Sequence, residues 1–171
     1  MFKRSITVLA FAVSILFGLP FWVNAESVNA PAKIETSQPL IIDGKEADEI
    51  WLITSQGRFR FTAEIADSNQ ERSQGLMFRE TMPKDHGMLF DFQEKRPIQM
   101  WMRNTPLSLD MIFTDETGKV VKIAERTTPF SDAIIDSGEP VTHVLEINAG
   151  VSRLLGMKTG DKIEHRLFST P

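Results

Sequence analysis

Two carboxylates of this sequence stand in segments that are otherwise largely apolar and strand-like. Asp110 lies within residues 107–113, and Glu146 lies within residues 144–147. Burying a carboxylate among bulky apolar side chains is costly unless another group pairs with it. We therefore predict that Asp110 faces a cation, and that this pair organises the surface that the protein uses.

Three arginines are the candidate partners of Asp110. Arg72 belongs to a predicted short helix, Arg79 follows that helix, and Arg103 lies nearer to Asp110 in the sequence. A guanidinium group can hold a carboxylate through two parallel hydrogen bonds, which makes such a pair geometrically specific. The alternative is a buried strut that only ties a strand to the helix, because structural ion pairs are common.

Glu146 introduces a catalytic hypothesis. Together with Asp110 it could form an acid/base pair of the kind that glycoside-cleaving enzymes use. Spacing along the chain does not give the separation of the two carboxyl groups, so a solvent-facing strand glutamate is the alternative. The sequence has no Gly-x-Ser-x-Gly elbow, no Ser-x-x-Lys pair and no phosphate-binding glycine loop. Whether the protein is an enzyme stays open at this point.

Trp101 and Asn104 indicate a candidate ligand surface. An aromatic ring beside polar side chains is the combination that a sugar ring or a small polar ligand needs. Arg72 or Arg79 would then bind an acidic group of the ligand. The alternative for Trp101 is a place in the core, where tryptophan is often largely buried.

The sequence does not indicate a metal or a cofactor. His86, His143 and His165 are far apart in the chain, whereas metal ligands usually come as close pairs or clusters. Thioethers can bind cuprous ion, but methionines scattered among leucine and phenylalanine are typical core filler. We expect no metal site and no cofactor.

Two short helices are predicted between strands. A capping box at Ser68–Glu71 begins the first helix, which ends after about two turns at Gly75. Asn148 is predicted to cap the second helix, which ends at Gly156. Both helices are too short to form a layer of their own.

The remaining apolar segments predict short strands. Residues 58–66 alternate between apolar and polar side chains, which indicates an antiparallel strand with Glu64 and its polar neighbours on a wet face. Further strands are predicted at 51–54, 88–92, 98–102, 107–114, 120–124, 141–147 and 162–168. Roughly eight or nine short strands with two helices predict a mainly β fold, a single compact β-sandwich or barrel.

Several motifs occur in a family-specific order along the chain. They are Glu71–Arg79, Gly87–Phe90, Trp101–Thr105 with Leu109-Asp110, Val144–Glu146 with Ala149-Gly150, and Gly160-Asp161. Over residues 59–165 the chain resembles the bacterial and archaeal family called domain of unknown function 192. The resemblance implies a jelly-roll-like β domain, often exported, and it brings no established activity. The motif positions are Arg72, Gly75, Arg79, Trp101, Asn104, Asp110 and Glu146.

The N-terminus has the pattern of a secretory signal peptide. Lys3 and Arg4 precede an apolar run, and small residues lead up to Ala25. We predict a signal peptide over 1–25, cleaved after Ala25, and a periplasmic or secreted protein. An uncleaved segment would be the one contact with a membrane. Residues 26–48 are predicted to be a polar arm or linker, and residues 49–171 the single β-rich domain.

Composition excludes several classes of function. The chain has no cysteine, which rules out disulfides, thiolate metal sites and thiol nucleophiles. The formal net charge is −4, and it becomes −6 if Lys3 and Arg4 are removed with residues 1–25. We expect no binding to nucleic acid, because phosphates favour clustered lysine and arginine.

Three functions fit these features. The one we favour is a cell-envelope module that binds a small polar molecule or a glycan. A second is a structural or accessory envelope protein whose polar cluster joins strands to a helix. A third is an enzyme in which Asp110 or Glu146 acts as an acid or base beside an arginine.

Overall fold

Strands make up most of the structure, as the short alternating segments predict. The computed structural model describes residues 40–42 and 45–168. The strands are β1 Leu40–Ile42, β2 Lys45–Thr54, β3 Gly57–Ala66, β4 His86–Met100, β5 Leu109–Thr114, β6 Val120–Ala124, β7 Ile135–Asn148 and β8 Lys162–Glu164. The helices are α1 Asn69–Gln74 and α2 Val151–Leu154. The mainly β fold with two short helices is confirmed.

The sheet curls until its two ends approach each other. Its strand order is β1-β2-β3-β4-β7-β5-β6, and β8 pairs with β2. β8 also bonds to the chain just before β6, where the N–H of Ile163 donates to the carbonyl of Gly118 at 2.8 Å. β8 therefore links both ends of the sheet, which gives a barrel-like closure and leaves fewer open edges.

The paired strands are antiparallel, except that β3 and β4 run parallel to each other. Two parallel strands need a long crossover connection, and here α1 and residues 75–85 form it. Arg72 of α1 donates to the carbonyl of Asp91 in the middle of β4, and the segment after α1 leads back to the start of β4. The sequence pattern of β3 alone does not reveal this parallel partner.

Both faces of the central strands β4, β7 and β5 are buried. A barrel core draws residues from β2 through β8, and comprises Ile50, Leu52, Phe61, Ala63, Leu89, Ile112, Val120, Leu145, Ile147, Met157, Ile163 and Phe168. A second core covers the opposite face, and comprises Ala66, Leu76, Met88, Phe90, Ile98, Met100, Met102, Leu109, Met111, Phe113, Val141 and Val144. Strands buried on both faces carry nearly continuous apolar runs.

Element boundaries differ from the predicted ones where strands are longer than their apolar cores. The strands predicted at 88–92 and 98–102 are one strand, β4, with a shift in register between Asp91 and Arg96. β7 begins at Ile135, six residues before the strand predicted at 141–147, and β2 begins at Lys45, inside the segment predicted to be an arm. Polar residues at strand ends hide these extensions from a pattern search.

The predicted cap of the first helix is confirmed, and the predicted cap of the second helix is wrong. Ser68 caps α1 in a capping box, and Gly75 follows it with a positive φ of 47°. Asn148 does not cap α2, because it lies in β7 and its amide donates to the carbonyl of Pro83 at 2.8 Å. The residue before α2 is Gly150, which has no capping side chain of its own.

The predicted signal peptide and most of the predicted arm lie outside the described residues. Within residues 40–42 and 45–168, no helix has the length and apolarity that a membrane span requires.

Candidate functional site

A pocket of about 260 Å³ opens between α1, the end of β4 and the sheet. One wall comes from α1 and the residues after it, namely Asn69, Arg72, Ser73, Gln74, Gly75, Leu76 and Met77. The sheet and the segment after β4 supply Phe90, Phe92, Gln99, Met100, Trp101, Arg103, Thr105 and Glu146. Leu76, Phe90 and Met100 also belong to the second core, so this face of the sheet forms the floor.

Glu146 is the acidic group of the pocket. It lies on β7 between Met88 of β4 and Met111 of β5, and only 4% of the residue is exposed. None of the described residues forms a hydrogen bond or an ion pair with its carboxyl group. Burial without a compensating partner raises its pKa to about 8. At neutral pH this carboxyl group therefore carries a proton.

Arg72 brings a positive charge to the same pocket. Its guanidinium donates to the backbone carbonyls of Asp67 and Asp91 and to Asn69 Oδ1, the last two at 2.6 Å. It also lies 5.7 Å from the centre of the Phe92 ring. All three acceptors are neutral oxygens, and no described carboxylate forms an ion pair with Arg72. The local hydrogen bonds fix the side chain but leave its charge uncompensated.

Trp101 lies at the edge of the pocket and is 43% exposed. The alternative that placed it in the core is therefore wrong, and its ring is accessible for stacking. The guanidinium of Arg103 lies 5.1 Å from the centre of that ring and pairs with Asp132 at 2.6 Å. Arg103 thus has a carboxylate partner, in contrast to Arg72.

Asn104 is not among the residues that line the pocket. It has a positive φ of 56° in the turn after β4, and its carbonyl accepts a hydrogen bond from the N–H of Phe78 at 2.8 Å. Asparagine tolerates this left-handed conformation better than most residues. Its observed contacts hold the turn against the segment after α1, whereas the sequence predicted a contact to ligand.

Asp110 is buried as predicted, but the predicted arginine partner is wrong. Its carboxylate accepts hydrogen bonds from the backbone N–H groups of Arg126, Gly150 and Ser152, at 2.8 to 3.0 Å. The Ser152 hydroxyl donates a fourth at 2.6 Å. Backbone donors and a hydroxyl therefore satisfy the charge that was expected to need a cation.

This arrangement also explains how α2 begins without a capping residue of its own. The first N–H groups of a helix have no partner within the helix, and Asp110 binds them from β5, 42 residues away in the sequence. Local sequence cannot reveal a cap that arrives from another strand. Asp110 consequently has a structural role in the fold.

The hypothesis of an acid/base pair between Asp110 and Glu146 is wrong because the two side chains lie on opposite faces of the sheet. Asp110 is directly opposite Ile147 of the barrel core, whereas Glu146 is opposite Met111 of the second core. Side chains of neighbouring strand positions alternate between faces. The two carboxyl groups cannot meet in one site.

Arg79 belongs to a second buried polar cluster, with Glu64 and His86. Its guanidinium donates to both Glu64 oxygens, and His86 Nε2 lies 3.0 Å from Glu64 Oε1. Glu64 and His86 are fully buried, so the prediction that Glu64 faces water is wrong. Burial acts to raise the pKa of Glu64, but hydrogen bonds and positive charge from His86 and Arg79 lower it to about 2.

Glu64 was missed because its partners come from elsewhere in the chain. It lies on β3 in a strand that alternates like a half-exposed one, and His86 reaches it through the parallel pairing of β3 and β4. Within the described residues, no group of three histidine, aspartate or glutamate side chains is arranged to hold a metal ion.

Comparison with protein families gives one match. The sequence model of the family called domain of unknown function 192, described as an uncharacterized ACR, matches residues 51–165. The chain belongs to the DUF192 family. This confirms the resemblance that the motifs from Glu71 to Asp161 indicated.

The solved structures that resemble this DUF192 protein include the following two. A candidate transcription regulator from Sinorhizobium meliloti 1021 is 49% identical over 70% of this chain and 94% of that one, with a TM-score of 0.68. A protein of unknown function from Novosphingobium aromaticivorans DSM 12444 is 32% identical over 80% of this chain and 99% of that one, with a TM-score of 0.72. Curated proteins give no match.

The DUF192 motif positions divide into two groups in the structure. Arg72, Gly75, Trp101 and Glu146 line the pocket. Arg79, Asn104 and Asp110 are held in structural contacts, namely a buried ion pair, a turn and the start of α2.

Proposed function

We propose that this protein is a binding module for a small polar molecule, which occupies the pocket over Glu146. The observation that carries the proposal is a buried carboxyl group that faces open space and has no partner among the described residues. Leaving such a group unpaired costs free energy. A ligand that hydrogen-bonds to Glu146 recovers that cost.

The composition of the walls supports the same proposal. Apolar and aromatic side chains of Leu76, Phe90 and Trp101 surround a few polar groups, as in ordinary small-molecule sites. The volume of about 260 Å³ lies just below the range of about 300–1,000 Å³ typical of drug-sized ligands. The ligand is therefore small, and a glycan would enter as no more than a single sugar unit.

We place this activity in the cell envelope, because the N-terminal sequence has the pattern of a signal peptide that ends at Ala25. N-terminal sequencing of the protein recovered from cell fractions tests this location. A periplasmic or secreted chain that begins at Glu26 is expected. A cytoplasmic chain that retains Met1 or Phe2 would contradict it.

The regulator description of the Sinorhizobium protein does not lead us to propose DNA binding here. Several exposed arginines, including Arg58, Arg60, Arg153 and Arg166, form ion pairs with carboxylates of this chain. These pairs and the net charge of −4 leave little positive potential to attract phosphates.

A thermal-shift screen of the full chain against small sugars, organic acids, amines and amino acids tests the binding proposal. A ligand that binds the native state at about 100 times its Kd adds about 2.7 kcal/mol to the stability, so the Tm rises. Glu146→Gln should lose at least half of the shift. Glu164→Gln, which removes an exposed carboxylate paired with Arg58, should keep all of it.

Either of two results would reject the proposal. One is the absence of any stabilising compound in the screen. The other is a shift of equal size in the wild type and in Glu146→Gln.

A general-acid enzyme is a second candidate, and the raised pKa of Glu146 favours it specifically. A carboxyl group that keeps its proton at neutral pH, beside a pocket, can donate that proton to a leaving group. Incubating the full chain with each stabilising compound and following the mixture by NMR tests it. Turnover that Glu146→Gln abolishes would support an enzyme, and an unchanged compound would favour binding alone.

A further inference from the structure

We propose that the ligand is a small zwitterion with the charge pattern of a free amino acid, whose ammonium group pairs with Glu146 and whose carboxylate faces Arg72. This inference rests on the proposed function and specifies its ligand. It follows from an acidic group and a cationic group that line one pocket and that have no ion-pair partner among the described residues.

The first of these groups is the carboxyl of Glu146. It is held in the middle of the sheet, where Met88 and Met111 flank it and cannot hydrogen-bond strongly to it. Loss of its proton there would leave a charge that is nearly without solvent. An ammonium group in the pocket supplies both the opposite charge and N–H donors, which a neutral sugar hydroxyl does not.

The second group is the guanidinium of Arg72. Three of its five N–H groups donate to Asp67, Asp91 and Asn69, all through neutral oxygens. The remaining donors and the full positive charge are available to an anion. Arg103, the other arginine of the pocket, already pairs with Asp132, which makes Arg72 the better carboxylate partner.

Glu146 and Arg72 line the same pocket without forming an ion pair with each other. The pocket therefore offers a ligand both an acidic group and a cationic group. A molecule with both charges pairs with both groups at once, after Glu146 has released its proton. A purely cationic ligand would leave Arg72 unsatisfied, and a purely anionic one would meet Glu146 only in its protonated form, as a hydrogen-bond donor.

The aromatic side chains of the pocket suit the same ligand. Phe90, Phe92 and Trp101 line the same pocket as Glu146. Aromatic faces attract ammonium groups, and they also pack against an aliphatic side chain.

The proposal predicts a proton-linked binding reaction. Without a bound ligand Glu146 is expected to be protonated at neutral pH, because burial raises its pKa to about 8. Pairing with an ammonium group requires the carboxylate, so binding at pH 7 should release about one proton. The affinity should rise by up to about tenfold per pH unit between pH 6 and 8. The other ionisable groups that line the pocket are the guanidinium groups of Arg72 and Arg103.

Isothermal titration calorimetry on the full chain tests the proposal with matched probes. L-Alanine, L-leucine and L-phenylalanine are each compared with their amide, their N-acetyl derivative and their N-acetyl amide. The free amino acid carries both charges and the amide only the positive one. The N-acetyl derivative carries only the negative charge, and the N-acetyl amide carries neither. We expect at least one free amino acid to bind more than tenfold tighter than its three derivatives. Its heat should depend on the buffer in the way that release of one proton requires.

Two variants assign the ends of the ligand. Glu146→Gln should weaken the amino acid and the amide by at least tenfold and leave the N-acetyl acid unchanged. Arg72→Gln should weaken the amino acid and the N-acetyl acid and leave the amide unchanged. If Arg72→Gln does not fold, Arg72→Lys is the second variant. It keeps the positive charge but loses the paired N–H donors of the guanidinium group, so it should bind the amino acid more weakly without changing proton release.

Failure of this inference is distinguishable from failure of the proposed function. If a neutral sugar binds in a Glu146-dependent way and no amino acid does, the zwitterion is wrong and the binding module stands. If neither amino acids nor any other small molecule of the screen binds, both proposals fall.

Discussion

The carboxylate of Asp110 on β5 holds the start of helix α2 through Ser152, whose N–H and hydroxyl donate to it at 3.0 and 2.6 Å. Asp110→Asn should destabilise the protein by about 2–4 kcal/mol. The carboxylate uses both oxygens as acceptors, whereas an amide has one acceptor oxygen and its NH2 group would face the N–H donors of α2. Urea unfolding followed by circular dichroism measures this loss.

Glu116→Gln is the matched control for Asp110→Asn, since Glu116 is an exposed acid that pairs with Lys95. It should leave the urea midpoint unchanged. Ligand affinity per folded molecule should also stay unchanged in Asp110→Asn, because Asp110 faces the barrel core and Glu146 faces the second core. A folded Asp110→Asn protein of normal stability would contradict the structural role given to Asp110.

The site could be predicted from the sequence only in part. Glu146 and Trp101 were recognisable because an acid in an apolar strand and a tryptophan beside polar residues are unusual. The error over Asp110 came from assuming that a buried charge requires an opposite charge. Backbone N–H groups serve equally well, but which of them converge on a side chain is fixed by tertiary structure, and no local pattern records it.

Arg79 and Glu64 form a buried ion pair whose disruption should be more costly than its replacement. Arg79→Met should lower the free energy of unfolding by about 3–5 kcal/mol, because it leaves the carboxylate of Glu64 buried beside His86 alone. The double variant Arg79→Met/Glu64→Gln should recover part of that loss. Guanidinium unfolding of the wild type, both single variants and the double variant gives the coupling energy. Strictly additive losses would argue against this ion pair.

The low pKa of Glu64 adds a dependence on acid. Its pKa is about 2 in the folded chain, below its ordinary value of 4.5. The stabilisation is therefore complete above about pH 4.5 and is lost as the pH falls toward 2. Glu64→Gln should flatten the stability of the protein over that interval, as measured by thermal melts in a pH series. An unchanged slope below pH 4.5 would show that other acids control the acid unfolding.

His143 and His165 predict a second loss of stability on acidification, at higher pH. Both rings pack against Phe168, with centroids 4.7 and 6.3 Å away, and burial lowers the pKa of each below 6.5 despite the carboxylates of Asp91 and Asp48 nearby. The unfolded chain therefore binds more protons below pH 6.5, so stability decreases as the pH drops through that value.

The measurement for these histidines is the Tm between pH 5 and 7.5. His143→Gln should reduce the fall in Tm over this range, because glutamine does not titrate. NMR titration of the histidine ring protons should give midpoints below 6.5 for both residues. A midpoint above 6.5 for His143 would mean that Asp91, 3.5 Å from its Nε2, outweighs burial.

The fold was more predictable than the site, for a physical reason. Strand period, turn glycines and the capping box at Ser68 are local features, so the mainly β class and both helices followed from them. The parallel pairing of β3 with β4 is not local, and it places Glu64 beside His86 and buries it. The residues whose environment was predicted wrongly, Glu64 and Asp110, are those whose partners arrive from distant segments.

Glu146 should oppose the histidines in the pH dependence of stability. Its pKa is raised from 4.5 to about 8 in the folded chain, so between these values the folded state keeps a proton that the unfolded state releases. Stability from this group is complete below about pH 4.5 and is lost as the pH rises to about 8, at up to about 1.4 kcal/mol per pH unit. Glu146→Gln removes this loss. The stability of the variant relative to the wild type should therefore increase as the pH rises, and the variant should melt at a higher temperature at pH 8.

Saturating ligand should also remove most of the difference between the two proteins if an ammonium group then neutralises the carboxylate. Parallel pH profiles for the wild type and Glu146→Gln would mean that the carboxyl group is hydrated, and the pocket would lose its unsatisfied acid.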